Sequence, residues 1–161
     1  MSTWSDPKPL SAYKGEVRKP GVYVIGSARD PAKLPAASNA HDPYLLENWP
    51  DNFKPEYVGI SEVNVPGVRG RLSCHARRKG NKHIADLIGR NTPLFFIVIY
   101  GQEATKYEAL LLCLKTAIQF KGNERAEHDR AAKKQYDAIR ARMSDYERSY
   151  YDNLDTEGSG M

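Results

Sequence analysis

The run from Leu94 to Tyr100, LFFIVIY, constrains this chain more than any other segment. Seven consecutive apolar residues fall far short of the ~18 that a membrane-spanning helix needs. The length is that of a β-strand, and a strand with no polar face belongs at the centre of a sheet. Pro93 marks its entry. The fold must therefore supply neighbouring strands and cover.

Two shorter runs are candidates for those neighbours. Gly21 to Ile25 is rich in β-formers and is closed by Gly26, and Tyr57 to Ile60 is a second short strand. Pro66 can open a helix, because its missing N–H would be an orphan there. That helix is expected from about Val68 to Lys79, stopped by Gly80, and a shorter one from Lys82 to Ile88, stopped by Gly89. Thr105 and Glu108 have capping-box spacing ahead of a helix to about Phe120, which Gly122 ends. Asn123 is a candidate N-cap for a last helix. Its apolar positions Ala132, Tyr136, Ile139, Met143, Tyr146 and Tyr150 form one continuous stripe that needs a partner surface. The order β-β-α-α-β-α-α predicts an α/β (α+β) fold, a small three-stranded sheet covered by helices.

The remaining segments have no such period. Residues 1–19 hold Pro7, Pro9 and Gly15 and are expected to form an irregular N-terminal arm. Residues 27–55 carry five prolines and read as a long surface excursion, a length that is often functional. Residues 20–124 would be the main domain, 125–154 the C-terminal helix and 155–161 a disordered tail. A chain of 161 residues suits one domain. Cys74 and Cys113 share no metal-type spacing and do not make a disulfide scaffold. The N-terminus lacks the basic-then-apolar pattern of a signal peptide, so a reducing, cytoplasmic setting with no membrane contact is expected.

Charge is uneven. Between Tyr57 and Asn91 lie Arg69, Arg71, Arg77, Arg78, Lys79, Lys82 and Arg90 against Glu62 and Asp86, a net +5 in a chain of net +4. A basic patch on an otherwise nearly neutral protein suits a polyanion such as nucleic acid, although a solvated helix face would look the same.

The residues that carry chemistry are few. Tyr23 and Tyr57 lie mid-strand, where aromatic residues commonly pack. On adjacent strands they can instead point two hydroxyls into one pocket, to donate to phosphate or to accept a proton from water. Arg71 and His75 lie at i and i+4 and share a helix face, with Arg78 continuing the row. They form either a solvated stripe or a phosphate clamp with a proton-transfer partner. His41, His83 and His128 have no such partner in sequence and are expected at the surface. Glu108 completes the capping box, holds a Mg²⁺ that keeps most of its waters, or does both. Glu103 is the competing carboxylate. Asn123 is a cap whose amide could also reach phosphate or order the site.

Together these residues resemble the GIY-YIG nuclease superfamily. Its first motif appears as Gly21-Val22-Tyr23 and its second as Tyr57-Val58-Gly59, followed by Ser61. The family's arginine, histidine, glutamate and asparagine match Arg71, His75, Glu108 and Asn123, over roughly residues 20–124. Arg69 competes with Arg71, but Leu72 and His75 follow Arg71 in the family's pattern. The resemblance implies a three-stranded antiparallel sheet flanked by helices, with one divalent metal, Mg²⁺ or Mn²⁺, held by Glu108. It implies a catalytic set of Tyr23, Tyr57, Arg71, His75, Glu108 and Asn123 that cleaves nucleic-acid phosphodiesters, DNA before RNA. Arg69, Arg77, Arg78, Lys79 and Lys82 would track the nucleic-acid backbone. The rival expectation is an inactive nucleic-acid-binding or protein-interaction module that kept the fold. The C-terminal stripe could also make the chain a homodimer or a subunit of a larger complex.

Overall fold

The computed structural model describes residues 4–28, 30, 52–105, 121–123, 134 and 137–149. The chain is α+β, built on a four-stranded antiparallel sheet: β1 (Lys8–Pro9), β2 (Gly21–Ala28), β3 (Phe53–Ser61) and β4 (Leu94–Tyr100), in the order β1-β4-β2-β3. Helices α1 (Gly67–Ala76) and α2 (Lys82–Gly89) lie between β3 and β4 in sequence.

The fourth strand corrects the expected three. Residues 8–9 lie in the stretch whose prolines predict an irregular arm, yet Lys8 pairs with Phe96 and Pro9 with Phe95. Proline cannot donate to a ladder, which confines it to a short edge strand such as this one. The arm is otherwise well anchored. Ser5 exchanges hydrogen bonds with the backbone of Val98, at 3.0 Å in each direction. Buried Glu16 accepts from Lys8 Nζ at 2.7 Å and from the Tyr100 hydroxyl at 2.9 Å. Burial, with that carboxylate alongside, pushes the Tyr100 phenol up to about 12.

β4 is buried on both sides, as its composition requires. On one face Phe96 and Val98 join Tyr23, Ile25, Val68, Leu72, Ile84 and Leu10 in the main core. On the other, Val22, Val24, Val58 and Ile97 are fully buried. At about 1.5–3 kcal/mol per buried aliphatic side chain, these two layers dominate the stability of the sheet.

The strands outrun their expected limits. β2 continues through Gly26 to Ala28 and β3 begins at Phe53, because the two pair across a bulge. Ile25 faces Tyr57 while Gly26 faces Pro55, so Glu56 is the extra residue. A bulge re-aims its side chain.

α1 ends at Ala76 rather than Lys79, and Arg78 lies beyond it in the left-handed region at φ 62°. Pro66 is the N-cap rather than the first helical residue, and no side chain caps the helix. The N–H groups of Val68 and Arg69 donate instead to the carbonyls of Lys19 and Val17, so the arm satisfies the helix's first donors.

Two further expectations change at the C-terminal end. Asn123 does not spend its side chain on a helix cap, since its amide bonds the backbone of Val58. The described part of the last helical region is not continuous, with helix at 137–141 and 145–149 and a break between. Ser144 and Glu147 make a reciprocal capping box that restarts the helix, and Arg148 Nε donates to the Arg140 carbonyl of the segment before it. The stripe is therefore interrupted, and Tyr146 is 81% exposed.

Candidate active site

The second-motif tyrosine, the first-motif tyrosine and the α1 histidine meet on the helix-covered face of the sheet. Tyr23 and Tyr57 are diagonal neighbours on β2 and β3: Tyr23 pairs with Gly59, and Tyr57 with Ile25. The two-residue offset keeps both side chains on one face. Their ring centres are 6.3 Å apart, and the His75 ring stands 5.7 Å from Tyr23 and 4.9 Å from Tyr57.

The central polar contact is 2.9 Å between the Tyr23 hydroxyl and His75 Nε2. On its other side, His75 Nδ1 accepts from the backbone N–H of Asn81 at 3.2 Å. Tyr23 and His75 are buried, at 1% and 5% exposure. Burial first, and the Arg71 guanidinium second, lower the His75 pKa to about 4, so the ring is neutral near pH 7. Arg71 itself is exposed, on the same face of α1.

Glycines permit this packing. A β-carbon on Gly59 would meet the Tyr23 ring at 2.5 Å, and one on Gly80 would meet His75 Nδ1 at 2.5 Å. Gly59 is thus the floor on which Tyr23 lies, and Gly80 the floor under His75.

Asn123 reaches the strand that carries Tyr57 through the backbone. It is buried, its Oδ1 accepts from Val58 N and its Nδ2 donates to Val58 O, both at 2.9 Å. The amide mimics one rung of a β-ladder on β3, next to Tyr57. Its contacts are thus to the backbone of β3. Glu108 lies outside the described residues, as do His41 and His128. Glu103 is exposed in a short 3₁₀ turn, Gln102–Thr105.

The basic residues surround the helix pair. Arg71, Arg77, Arg78, Lys79 and Lys82 are exposed and Arg69 is half-buried. None of them pairs with a carboxylate among the described residues. The Arg78 guanidinium lies beside Gly89, 2.9 Å from where a β-carbon would stand, which puts its charge at the negative C-terminal end of α2.

Three features escape a sequence reading. Asn81 is a hub: its Oδ1 caps Ile84 N, its Nδ2 donates to Gly122 O at 2.8 Å, and its N–H reaches His75. An asparagine between Gly80 and the first turn of a helix is the one signal that would have found it. His83 is not a partnerless surface residue, because its Nε2 is 2.8 Å from the buried carboxylate of Glu56. Ser27 Oγ donates to the same carboxylate at 3.2 Å. No local pattern links residues 56 and 83; the bulge and the placement of α2 bring them together.

As to metals, no group of three or more His, Cys, Asp or Glu side chains converges among the described residues. The cluster offers two phenols, a guanidinium and an imidazole, poor ligands for a hard cation. A Mg²⁺ retaining most of its waters needs only one or two carboxylates, and Glu108, the carboxylate expected to supply one, lies outside the described residues. No helix among the described residues is long and apolar enough to cross a membrane. Comparison of the chain with family models, with curated proteins and with solved structures finds no match in any of the three.

Proposed function

We propose that the chain is a GIY-YIG-type endonuclease that hydrolyses nucleic-acid phosphodiesters, with DNA the favoured substrate. The observation that carries this reading is the convergence of Tyr23, Tyr57 and His75, from two strands and a helix, beside the exposed Arg71. Packing alone does not require a phenol hydroxyl, an imidazole and a guanidinium that meets no carboxylate among the described residues to lie together, whereas phosphodiester hydrolysis can use all three. Tyr23 positions or deprotonates the attacking water, with His75 supporting its hydroxyl. Arg71 and Tyr57 stabilise the charge that develops on the phosphorus-centred transition state. Asn123 keeps β3, and therefore Tyr57, in register. Glu108 would hold a divalent metal, which supplies charge neutralisation at the phosphoryl oxygens and the leaving oxygen. The cations Arg69, Arg77, Lys79 and Lys82, which pair with no carboxylate among the described residues, follow the nucleic-acid backbone, so binding weakens with salt. Arg78 contributes less, since its charge already faces the end of α2.

One observation favours a second reading. Tyr23 is only 1% exposed, which suits a hydrogen bond that holds a core together as well as one that serves a substrate. On that reading the chain is a nucleic-acid-binding module that kept the fold without the reaction. A panel of labelled single-stranded, duplex and branched DNA and RNA, incubated with Mg²⁺ and with chelator, separates the two. Metal-dependent cleavage of any member supports the nuclease; salt-sensitive binding with no cleavage of any member supports the module.

A further inference from the structure

We propose that the backbone amide of Asn81 locks His75 as its Nε2–H tautomer and so fixes this histidine as a hydrogen-bond donor to Tyr23. A backbone N–H can only donate. His75 Nδ1, 3.2 Å from Asn81 N, is therefore the bare nitrogen of the neutral ring, and the ring hydrogen sits on Nε2. Nε2 lies 2.9 Å from the Tyr23 hydroxyl oxygen, so the hydrogen bond runs from imidazole to phenol. The proposal deepens the hydrolytic reading of this cluster, but the tautomer itself can be measured without any cleavage.

The amide is held in place from three directions. Asn81 Oδ1 caps α2 at Ile84 N, at 3.2 Å, and Asn81 Nδ2 ties the residue to Gly122 O. Gly80, just before it, lies under the imidazole so closely that no β-carbon would fit. Arg71, on the same face of α1, opposes a second proton on the ring. The tautomer is thus set by the α1–α2 junction rather than by Tyr23.

This assigns the direction of the bond. His75 cannot take the Tyr23 proton, because the nitrogen facing Tyr23 already carries hydrogen. The Tyr23 oxygen is the acceptor of that bond. Asn81 and His75 are positioning residues behind Tyr23.

Asn81 has φ −71° and ψ 136°, a conformation that proline adopts. Asn81→Pro removes the N–H along with the side chain, whereas Asn81→Ala removes the side chain and keeps the N–H. Proline also sets its Cδ where that hydrogen stood and crowds Nδ1, so the coupling between Asn81 N and His75 Nδ1 in the unmutated protein is what isolates the amide. The test is ¹⁵N NMR of the histidine rings in the full chain, with His75 assigned by difference against His75→Gln. We expect the Nε2–H form in the unmutated protein and in Asn81→Ala, and a shift toward Nδ1–H in Asn81→Pro. If the nuclease reading holds, Asn81→Pro should also cleave at least about tenfold more slowly than Asn81→Ala. A Nδ1–H ring in the unmutated protein, or an unchanged tautomer in a folded Asn81→Pro, overturns the proposal. Should Asn81→Pro not fold, the unmutated protein still decides: a ¹⁵N–¹⁵N coupling across the hydrogen bond between Asn81 N and His75 Nδ1 is expected, and its absence overturns the proposal. A confirmed tautomer with no nuclease activity would leave the lock standing and remove only the hydrolytic reading.

Discussion

The Tyr23 ring lies across Gly59 on the neighbouring strand, so closely that a β-carbon at residue 59 would stand 2.5 Å from the ring. Only glycine at residue 59 leaves room for the Tyr23 ring where it lies. Gly59→Ala should displace Tyr23 and destabilise the fold by about 1–3 kcal/mol, the usual cost of overpacking. Thermal melts of Gly59→Ala, Tyr23→Leu and the double variant check this. The double variant should be more stable than the sum of the single losses predicts. Simple additivity would mean that the ring and the glycine do not constrain each other.

His75 makes stability depend on pH. Its pKa is lowered from 6.5 to about 4, chiefly by burial and then by Arg71. Between those values the unfolded chain binds a proton that the folded chain does not. Stability is therefore full above pH 6.5, falls as the pH drops through the window, and has lost this contribution by about pH 4. The total is about 3 kcal/mol. Urea denaturation at pH 7, 5.5 and 4 should show the loss, and His75→Gln should show a correspondingly smaller one. Parallel pH dependences for the two proteins would place the effect elsewhere.

Asn123 separates a structural role from a catalytic one. Asn123→Ala leaves a buried N–H and C=O of Val58 without partners, at about 1–3 kcal/mol for each group. A lower melting temperature is the expected outcome. An Asn123→Ala protein that melts as the unmutated one does, yet fails to cleave, would assign the amide to substrate rather than to β3.

Arg71 and Arg69 are two residues apart, and only Arg71 is among the groups whose charge bears on His75. Arg71→Ala should slow cleavage about 10²–10³-fold, as loss of a charge-stabilising donor does, while Arg69→Ala mainly weakens binding. Single-turnover rates at saturating protein distinguish the two. Equal, small effects would remove the reaction from this face of α1.

These relationships were legible to different degrees. The Leu94–Tyr100 strand was legible to the residue, because seven apolar residues with no polar face admit one placement. The shared face of Tyr23 and Tyr57 followed from strand alternation, and that of Arg71 and His75 from helical spacing. β1 was not legible, since two residues carry no period and one is proline. Glu56 and His83 were not either, because a bulge breaks the alternation that would have predicted where Glu56 points. The last helical region shows a signal outweighed: its apolar 4,3 spacing runs through Ser144 and Glu147, whose capping box restarts the helix there. Asn123 illustrates the reverse, a residue expected as a cap whose amide is spent on Val58 rather than on a helix end.

The central claim is that the Tyr23 hydroxyl performs chemistry rather than only filling the core, and Tyr23→Phe tests it most directly. The substitution keeps the ring over Gly59 and removes only the oxygen bonded to His75. The measurement is the single-turnover cleavage rate of labelled DNA in Mg²⁺, with binding measured on the same substrate in chelator. A fall of about 10²-fold or more in rate with binding unchanged is the predicted result. Cleavage by Tyr23→Phe at the unmutated rate would contradict the account, as would an unmutated protein that binds DNA and never cuts it.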